Sequence, residues 1–350
     1  MTLARRLAAA GVAGVAGLAA AGLAVGVTQR RRSIGRRDPD STVLGSLRSP
    51  PTTVVADDGV PLHVEVDEPA EPTSPVTVVF CHGYALNLDC WHFQRAACRE
   101  AGIRAVFYDQ RSHGRSGRSS RENATIDHLA LDLVRILDEI VPDGPVVLVG
   151  HSMGGMTVVG LVEAHPELVG DRIVGVGLIA TTAGGLDPSR ILFPLIPARI
   201  GGELTDGAIR TLARRHRTVD GLRRAGRSLA TVVTDLFAFG DAVPASYVRF
   251  VDDMLSATPF EVVAEFFPSF RGLDKFDAVE VLGRVPASIV CGTSDRLTSI
   301  GHSRKLHDRI AGSRLLECEG AGHLVLLERH HEVDAELSRL YAAAAAGVVR

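Results

Sequence analysis

Three residues of this chain could together perform nucleophilic chemistry: Ser152, His323 and Asp295. A serine hydroxyl is a weak nucleophile at neutral pH. It needs a base within hydrogen-bond reach and a third group that orients the base. Ser152 stands in Gly150-His151-Ser152-Met153-Gly154, directly after the apolar run Val146-Val147-Leu148-Val149. Four apolar residues in a row read as a strand buried on both faces. A helical pattern follows at once through Met156, Val159, Leu161 and Val162. A serine on so abrupt a strand-to-helix turn is held in a strained backbone conformation, with its hydroxyl pushed out above the sheet edge. Gly150 and Gly154 fit this turn because side chains would collide where strand and helix crowd together. The helix start also aims unpaired backbone N–H groups near the serine.

The chain has 13 histidines, so position and not number selects the base. His323 follows Gly320-Ala321-Gly322, just past the last expected strand, and the glycines let a loop carry an imidazole across the sheet edge. Asp295 follows the strand that ends Val290-Cys291-Gly292, and it stands 28 residues before His323. One helix and one strand fit in that gap. Acid, base and serine then emerge at the same carboxyl edge, where open α/β sheets place their sites. The competing role of Asp295 is a helix cap, and that of His323 an ordinary loop histidine. His82 and His151 flank the reacting region and are candidates for touching substrate, although backbone position also accounts for them. His330 and His331 read as surface residues on the following helix.

The segments Gly150-x-Ser152-x-Gly154, Asp109-x-Arg111-x-His113-Gly114-x-Ser116 and Gly320-x-Gly322-His323, with the chain order Ser152, Asp295, His323, resemble the serine-hydrolase (esterase- and lipase-like) branch of the α/β-hydrolase superfamily. The resemblance covers roughly residues 52–345. It implies that Ser152 is the nucleophile and that His323 is general base and then acid. Asp295 would orient the imidazole without taking its proton. The backbone N–H groups of Met153 and Tyr84 would hold the oxyanion. Asp109 and His113 are expected to hold their loop by hydrogen bonds to backbone. The implied reaction is two-step acyl transfer to water, with a carboxylic ester of apolar acyl group as substrate. No cofactor is needed. Thioester or lactone hydrolysis, carbon–carbon bond hydrolysis and cofactor-free perhydrolysis would use the same triad. Epoxide hydrolases and dehalogenases of this fold carry Asp at the elbow, where this chain has Ser152. Two rival classes are a receptor-like binding protein with little turnover and a membrane scaffold. Nothing in the sequence favours the first, because all three triad positions are filled.

The elements that must position these groups alternate along the chain. A short antiparallel pair is expected at Val54–Ala56 and Leu62–Val66 around Asp57-Asp58-Gly59. Buried strands follow at Val76–Cys81, Ile103–Tyr108, Val146–Val149 and Ile173–Ala180, separated by helical patterns at Asp89–Ala101 and from Ile126 to Ile140. This alternation argues for a doubly wound, mostly parallel sheet. It stops at 184–272, where helices are expected at about 188–200, 203–217, 220–239, 244–256 and 259–271. That insertion reads as a helical lid. Phe237, Phe239, Phe250, Phe260, Phe266, Phe267 and Phe270 lie in it and suit either the lid's own core or an apolar wall over the acyl site. The sheet resumes at Ser288–Cys291 and Arg314–Cys318, with a last helix from about 328. The resulting division is 1–29, 30–51, a first core part 52–183, the lid 184–272 and a second core part 273–350.

At 350 residues the chain can bury a large core, and its formal net charge of −3 gives no reason to invoke nucleic acid. The five cysteines are odd in number and show no framework spacing, and no metal-ligand pattern appears. Residues 7–29 carry no charge, with Arg5-Arg6 before them and Arg30, Arg31, Arg32, Arg36 and Arg37 after. Three readings stand: a signal-anchor helix, a cleaved export signal of twin-arginine type, and a flexible Ala/Gly-rich tail. An anchor would put the catalytic domain on the cytoplasmic side; an export signal would put it on the other. Residues 30–51 are expected to be an Arg-rich linker.

Overall fold

The computed structural model describes residues 26–37, 40–186 and 227–348. Eight strands form one sheet: β1 (Pro51–Val55), β2 (Pro61–Asp67), β3 (Thr77–Cys81), β4 (Ala105–Tyr108), β5 (Val146–His151), β6 (Ile173–Ile179), β7 (Ala287–Gly292) and β8 (Arg314–Cys318). Their spatial order is β1-β2-β4-β3-β5-β6-β7-β8. β2 runs antiparallel to β1 and β4, and every other pairing is parallel. Every residue of β3, β4, β5 and β7 is buried, which is why these strands are near-continuous apolar runs.

Alternate side chains of one strand serve opposite faces of the sheet. Val78, Phe80, Val147 and Val149 enter one core, with Trp91, Leu337, Leu340 and Tyr341. Val79, Cys81, Val146 and Leu148 enter the other, with Leu133, Leu137, Val158, Leu161 and Leu306. The first face is covered by helices α1 (His92–Glu100) and α8 (His330–Val348). The second is covered by α2 (Ile126–Ile140), α3 (Met153–Ala164) and α7 (Ile300–Arg309). The fold is thus the expected doubly wound, mostly parallel sheet.

Between β6 and β7 lie helices α4 (Arg227–Ala238), α5 (Ala245–Ala257) and α6 (Phe260–Arg271). The helices expected at 188–200 and 203–217 lie outside the described residues. α4 and α5 place Val232, Val248, Val251 and Met254 in the first core. α6 packs elsewhere: Val262, Phe266 and Phe270 meet Met153 and Met156 of α3, together with Tyr84.

The described residues of the expected linker, 30–37 and 40–51, include several held against the rest of the chain. Residues 26–34 are helical, and Ile34 is buried in the first core. Arg30 Nε and Arg37 Nη2 donate to Asp235 Oδ2 on α4 at 2.7 and 3.0 Å, and the Tyr247 hydroxyl donates to Asp40 at 2.8 Å. The segment expected to span or cross a membrane falls almost wholly outside the described residues. Among the described residues no helix is long and apolar enough to cross a membrane.

Candidate active site

Ser152 lies between β5 and α3 with φ +52° and ψ −118°, a left-handed backbone conformation for a non-glycine residue. The surroundings hold it there. Ser152 N–H donates to the Ile179 carbonyl at 3.0 Å, and the Thr181 hydroxyl donates to the Ser152 carbonyl at 2.6 Å. A Cβ on Gly154 would collide with the Cys81 carbonyl, and one on Gly150 would lie 2.5 Å from the Gly154 carbonyl oxygen. Both glycines are therefore required by close backbone approach.

Three parallel strands deliver the three side chains to one edge. Ser152 follows β5, Asp295 follows β7 and His323 follows β8. Ser152 Oγ donates to His323 Nε2 at 2.9 Å, and His323 Nδ1 donates to Asp295 Oδ2 at 2.9 Å. Ser152, Asp295 and His323 are 8 %, 5 % and 5 % exposed, so the relay is shielded from water on most sides.

Asp295 is both a turn-former and the partner of the histidine. Its Oδ1 accepts from the N–H groups of Leu297 and Thr298 at 2.8 and 3.0 Å. Its Oδ2 faces His323 Nδ1 and lies 2.9 Å from the Thr298 hydroxyl. The turn fixes the carboxylate, and the carboxylate fixes the tautomer of the imidazole. Nothing in the sequence marks Thr298 for this contact except its place three residues after Asp295.

The loop carrying His323 is tied to the loop carrying Asp295. Ser294 N–H donates to the Ala321 carbonyl at 2.9 Å, and Gly320 N–H to Thr293 Oγ1 at 2.8 Å. Gly320 has φ +74°, which a side chain would strain.

The expected oxyanion donors are placed as follows. Met153 is the first residue of α3, where backbone N–H groups have no partner within the helix. Tyr84 stands three residues past Cys81, which pairs with Gly150 across β3 and β5. The Tyr84 hydroxyl donates to the Val263 carbonyl of α6, and its ring meets Phe270 edge-on at 5.0 Å.

His82 and His151, expected as substrate contacts, are fully buried and turned toward backbone. His82 Nδ1 donates to the Gly83 carbonyl at 2.8 Å, and its Nε2 accepts from Gln110 N–H at 2.9 Å. His151 Nε2 donates to the His323 carbonyl at 3.0 Å. Burial pushes His82 down to about 4 and His151 well below the ordinary histidine value, so both rings are neutral. Three of their four ring nitrogens are spent on backbone groups of neighbouring loops, and His151 Nδ1 is buried beside Gly83 with no hydrogen-bond partner. Asp109 accepts from Leu88 and Arg115 N–H, both at 2.7 Å, and His113 Nδ1 donates to the Arg111 carbonyl at 2.9 Å. His330 also differs from expectation: its ring stacks on Phe93 at 3.7 Å.

All five cysteines are free and buried, and burial pushes the thiols of Cys81, Cys98, Cys291 and Cys318 up to about 12. Such thiols supply no thiolate at neutral pH. Among the described residues no cluster of His, Cys, Asp and Glu could hold a metal ion.

The description "alpha/beta hydrolase fold" matches residues 76–330, and the chain belongs to that family. It is 26 % identical over 254 residues to an uncharacterized protein of Mycobacterium tuberculosis, covering 70 % of this chain and 69 % of that one. In structure it is similar to an enol-lactonase from Burkholderia xenovorans LB400, with a TM-score of 0.66 and 23 % identity, covering 83 % of this chain and all of that one. It is likewise similar to an esterase from Exiguobacterium antarcticum, with a TM-score of 0.65 and 19 % identity, covering 83 % and 99 % of the two chains. At these identities the structural likeness is one of fold.

Proposed function

We propose that the protein is a serine hydrolase that cleaves carboxylic esters with an apolar acyl group. The observation that carries this reading is the continuous relay Ser152 Oγ–His323 Nε2 and His323 Nδ1–Asp295 Oδ2, both steps 2.9 Å. Ser152 Oγ attacks the ester carbonyl carbon while His323 Nε2 takes the hydroxyl proton. The resulting oxyanion is held by the N–H groups of Met153 and Tyr84, each donor contributing about 3 kcal/mol to the barrier reduction. The C–O bond to the alcohol breaks, and His323 gives that oxygen its proton. Water then adds to the acyl carbon as His323 takes its proton; the bond to Ser152 Oγ breaks as His323 returns that proton to Oγ, and the carboxylic acid leaves. The apolar preference rests on Phe266 and Phe270 of α6, which pack with Met153 and Met156 at the start of the nucleophile helix.

Stopped-flow turnover of a chain-length series of chromogenic esters tests the proposal. The expected result is a burst of alcohol equal to the enzyme concentration, with efficiency rising with acyl length. Absence of turnover, or Ser152→Ala behaving as the wild type, contradicts it.

A further inference from the structure

Glu328 closes the short helix Val325–Glu328, five residues after His323. Its side chain is 0 % exposed. The carboxylate accepts from three backbone N–H groups. Oε2 takes those of Gly322 at 2.8 Å and Gly240 at 3.1 Å, and Oε1 takes that of Asp241 at 2.6 Å. Gly322 immediately precedes His323. Gly240 and Asp241 stand just past the end of α4, in the inserted segment.

The two backbones touch at this joint. A Cβ on Gly240 would collide with the Gly320 carbonyl, and one on Gly322 would lie 2.5 Å from Gly240 N. On the other side of His323, Leu324 N–H donates to the Ala238 carbonyl at 2.8 Å. The base is therefore bracketed at residues 322 and 324 by bonds to the insertion, one direct and one through Glu328. Three converging donors suit a carboxylate, which offers two accepting oxygens and no competing N–H. Among the described residues the cation within 4.0 Å is Arg329, through its Nη1 to Oε1.

We propose that Glu328 is a positioning residue for His323, which it holds against Ser152 by tying the loop at Gly322 to Gly240 and Asp241 of the inserted segment. This rests on the acyl-transfer reading of Ser152, His323 and Asp295. The side chain touches no reacting atom. It sets the loop geometry that keeps Nε2 within hydrogen-bond reach of the nucleophile, where a shift of about 1 Å costs up to ~100-fold in rate.

Glu328→Gln in the full chain tests the proposal, with active sites counted by titration with a fluorophosphonate. The expected result is a kcat per titrated site lowered at least ~10-fold with KM changed less than ~3-fold, and a labelling rate lowered in proportion. A variant with fewer active sites but wild-type rate per site would show a merely structural role and overturn the proposal. An unlabelled wild type would sink the acyl-transfer reading and this inference with it. Labelled wild type and equally fast variant would sink the inference alone. Should the variant not fold, hydrogen exchange on the wild type decides: the amides of Gly240, Asp241 and Gly322 should open at one common rate, and three independent rates would contradict a shared acceptor.

Discussion

The imidazole of His151, the residue before Ser152, holds the main-chain carbonyl of His323 through its Nε2–H at 3.0 Å. The two rings lie 4.9 Å apart. Ser152 and His323 are thus tied through the main chain as well as through their side chains. His151→Ala should lower kcat ~10- to 100-fold with KM little altered, because the base loop loses a fixed contact while substrate contacts remain. Steady-state kinetics read this directly; an unchanged kcat would remove His151 from the positioning of His323.

Asp295→Asn keeps an acceptor for the Leu297 and Thr298 N–H groups, so the turn survives. It places an amide opposite His323 Nδ1 and favours the wrong tautomer. Loss of kcat by about 10⁴-fold is expected, with thermal stability nearly unchanged. A loss under tenfold would mean that Asp295 serves the turn alone.

Arg111 is buried and donates to both carboxylate oxygens of Asp132, each at 2.6 Å, and to Asp58. Asp132 is 1 % exposed. Arg111→Ala leaves that carboxylate without its partner and should cost ~3–5 kcal/mol. Arg111→Met with Asp132→Leu should recover most of the loss. Urea unfolding measures both; a single variant as stable as the wild type would contradict the pairing.

Acid should destabilise the fold before it reaches the surface carboxylates. Burial pushes His82 down to about 4 and His113 down to about 3. Unfolded histidine titrates near ~6.5, so below that pH the unfolded chain binds protons that the folded chain refuses. Stability should fall as pH drops from about 6.5 to about 4, by ~3 kcal/mol from His82 alone. Asp334, raised by burial to about 6, works in the opposite sense, since the folded state takes its proton first. The two histidines together outweigh it. Denaturant midpoints at several pH values test the sign, and a flat profile would contradict it.

The strands could be read from the sequence because burial on both faces leaves unbroken apolar runs, as in Val146-Val147-Leu148-Val149. Ser152 and Asp295 could be read because each stands a few residues past such a run, and His323 because Gly320-Ala321-Gly322 precedes it at the end of a mixed, half-exposed strand. Long-range polar partners leave no such pattern. Arg37 and Asp235 are 198 residues apart, and an arginine-rich stretch with one buried apolar residue, Ile34, has no period to betray that it docks. The same holds for Glu328, a charge directly after Val325, Leu326 and Leu327, two of whose three backbone donors stand 87 and 88 residues away. His82 and His151 show the converse. Their place beside Ser152 suggests contact with substrate, but which atoms their ring nitrogens meet depends on neighbouring strands.

The nucleophilic role proposed for Ser152 is tested most directly by intact mass after treatment with a fluorophosphonate, which phosphonylates an activated serine with loss of fluoride, followed by peptide mapping. The proposed chemistry predicts one adduct per chain on Ser152, none in Ser152→Ala, and strongly slowed reaction in His323→Ala. A wild type left unmodified, or modified equally well when Ser152 is absent, would contradict it.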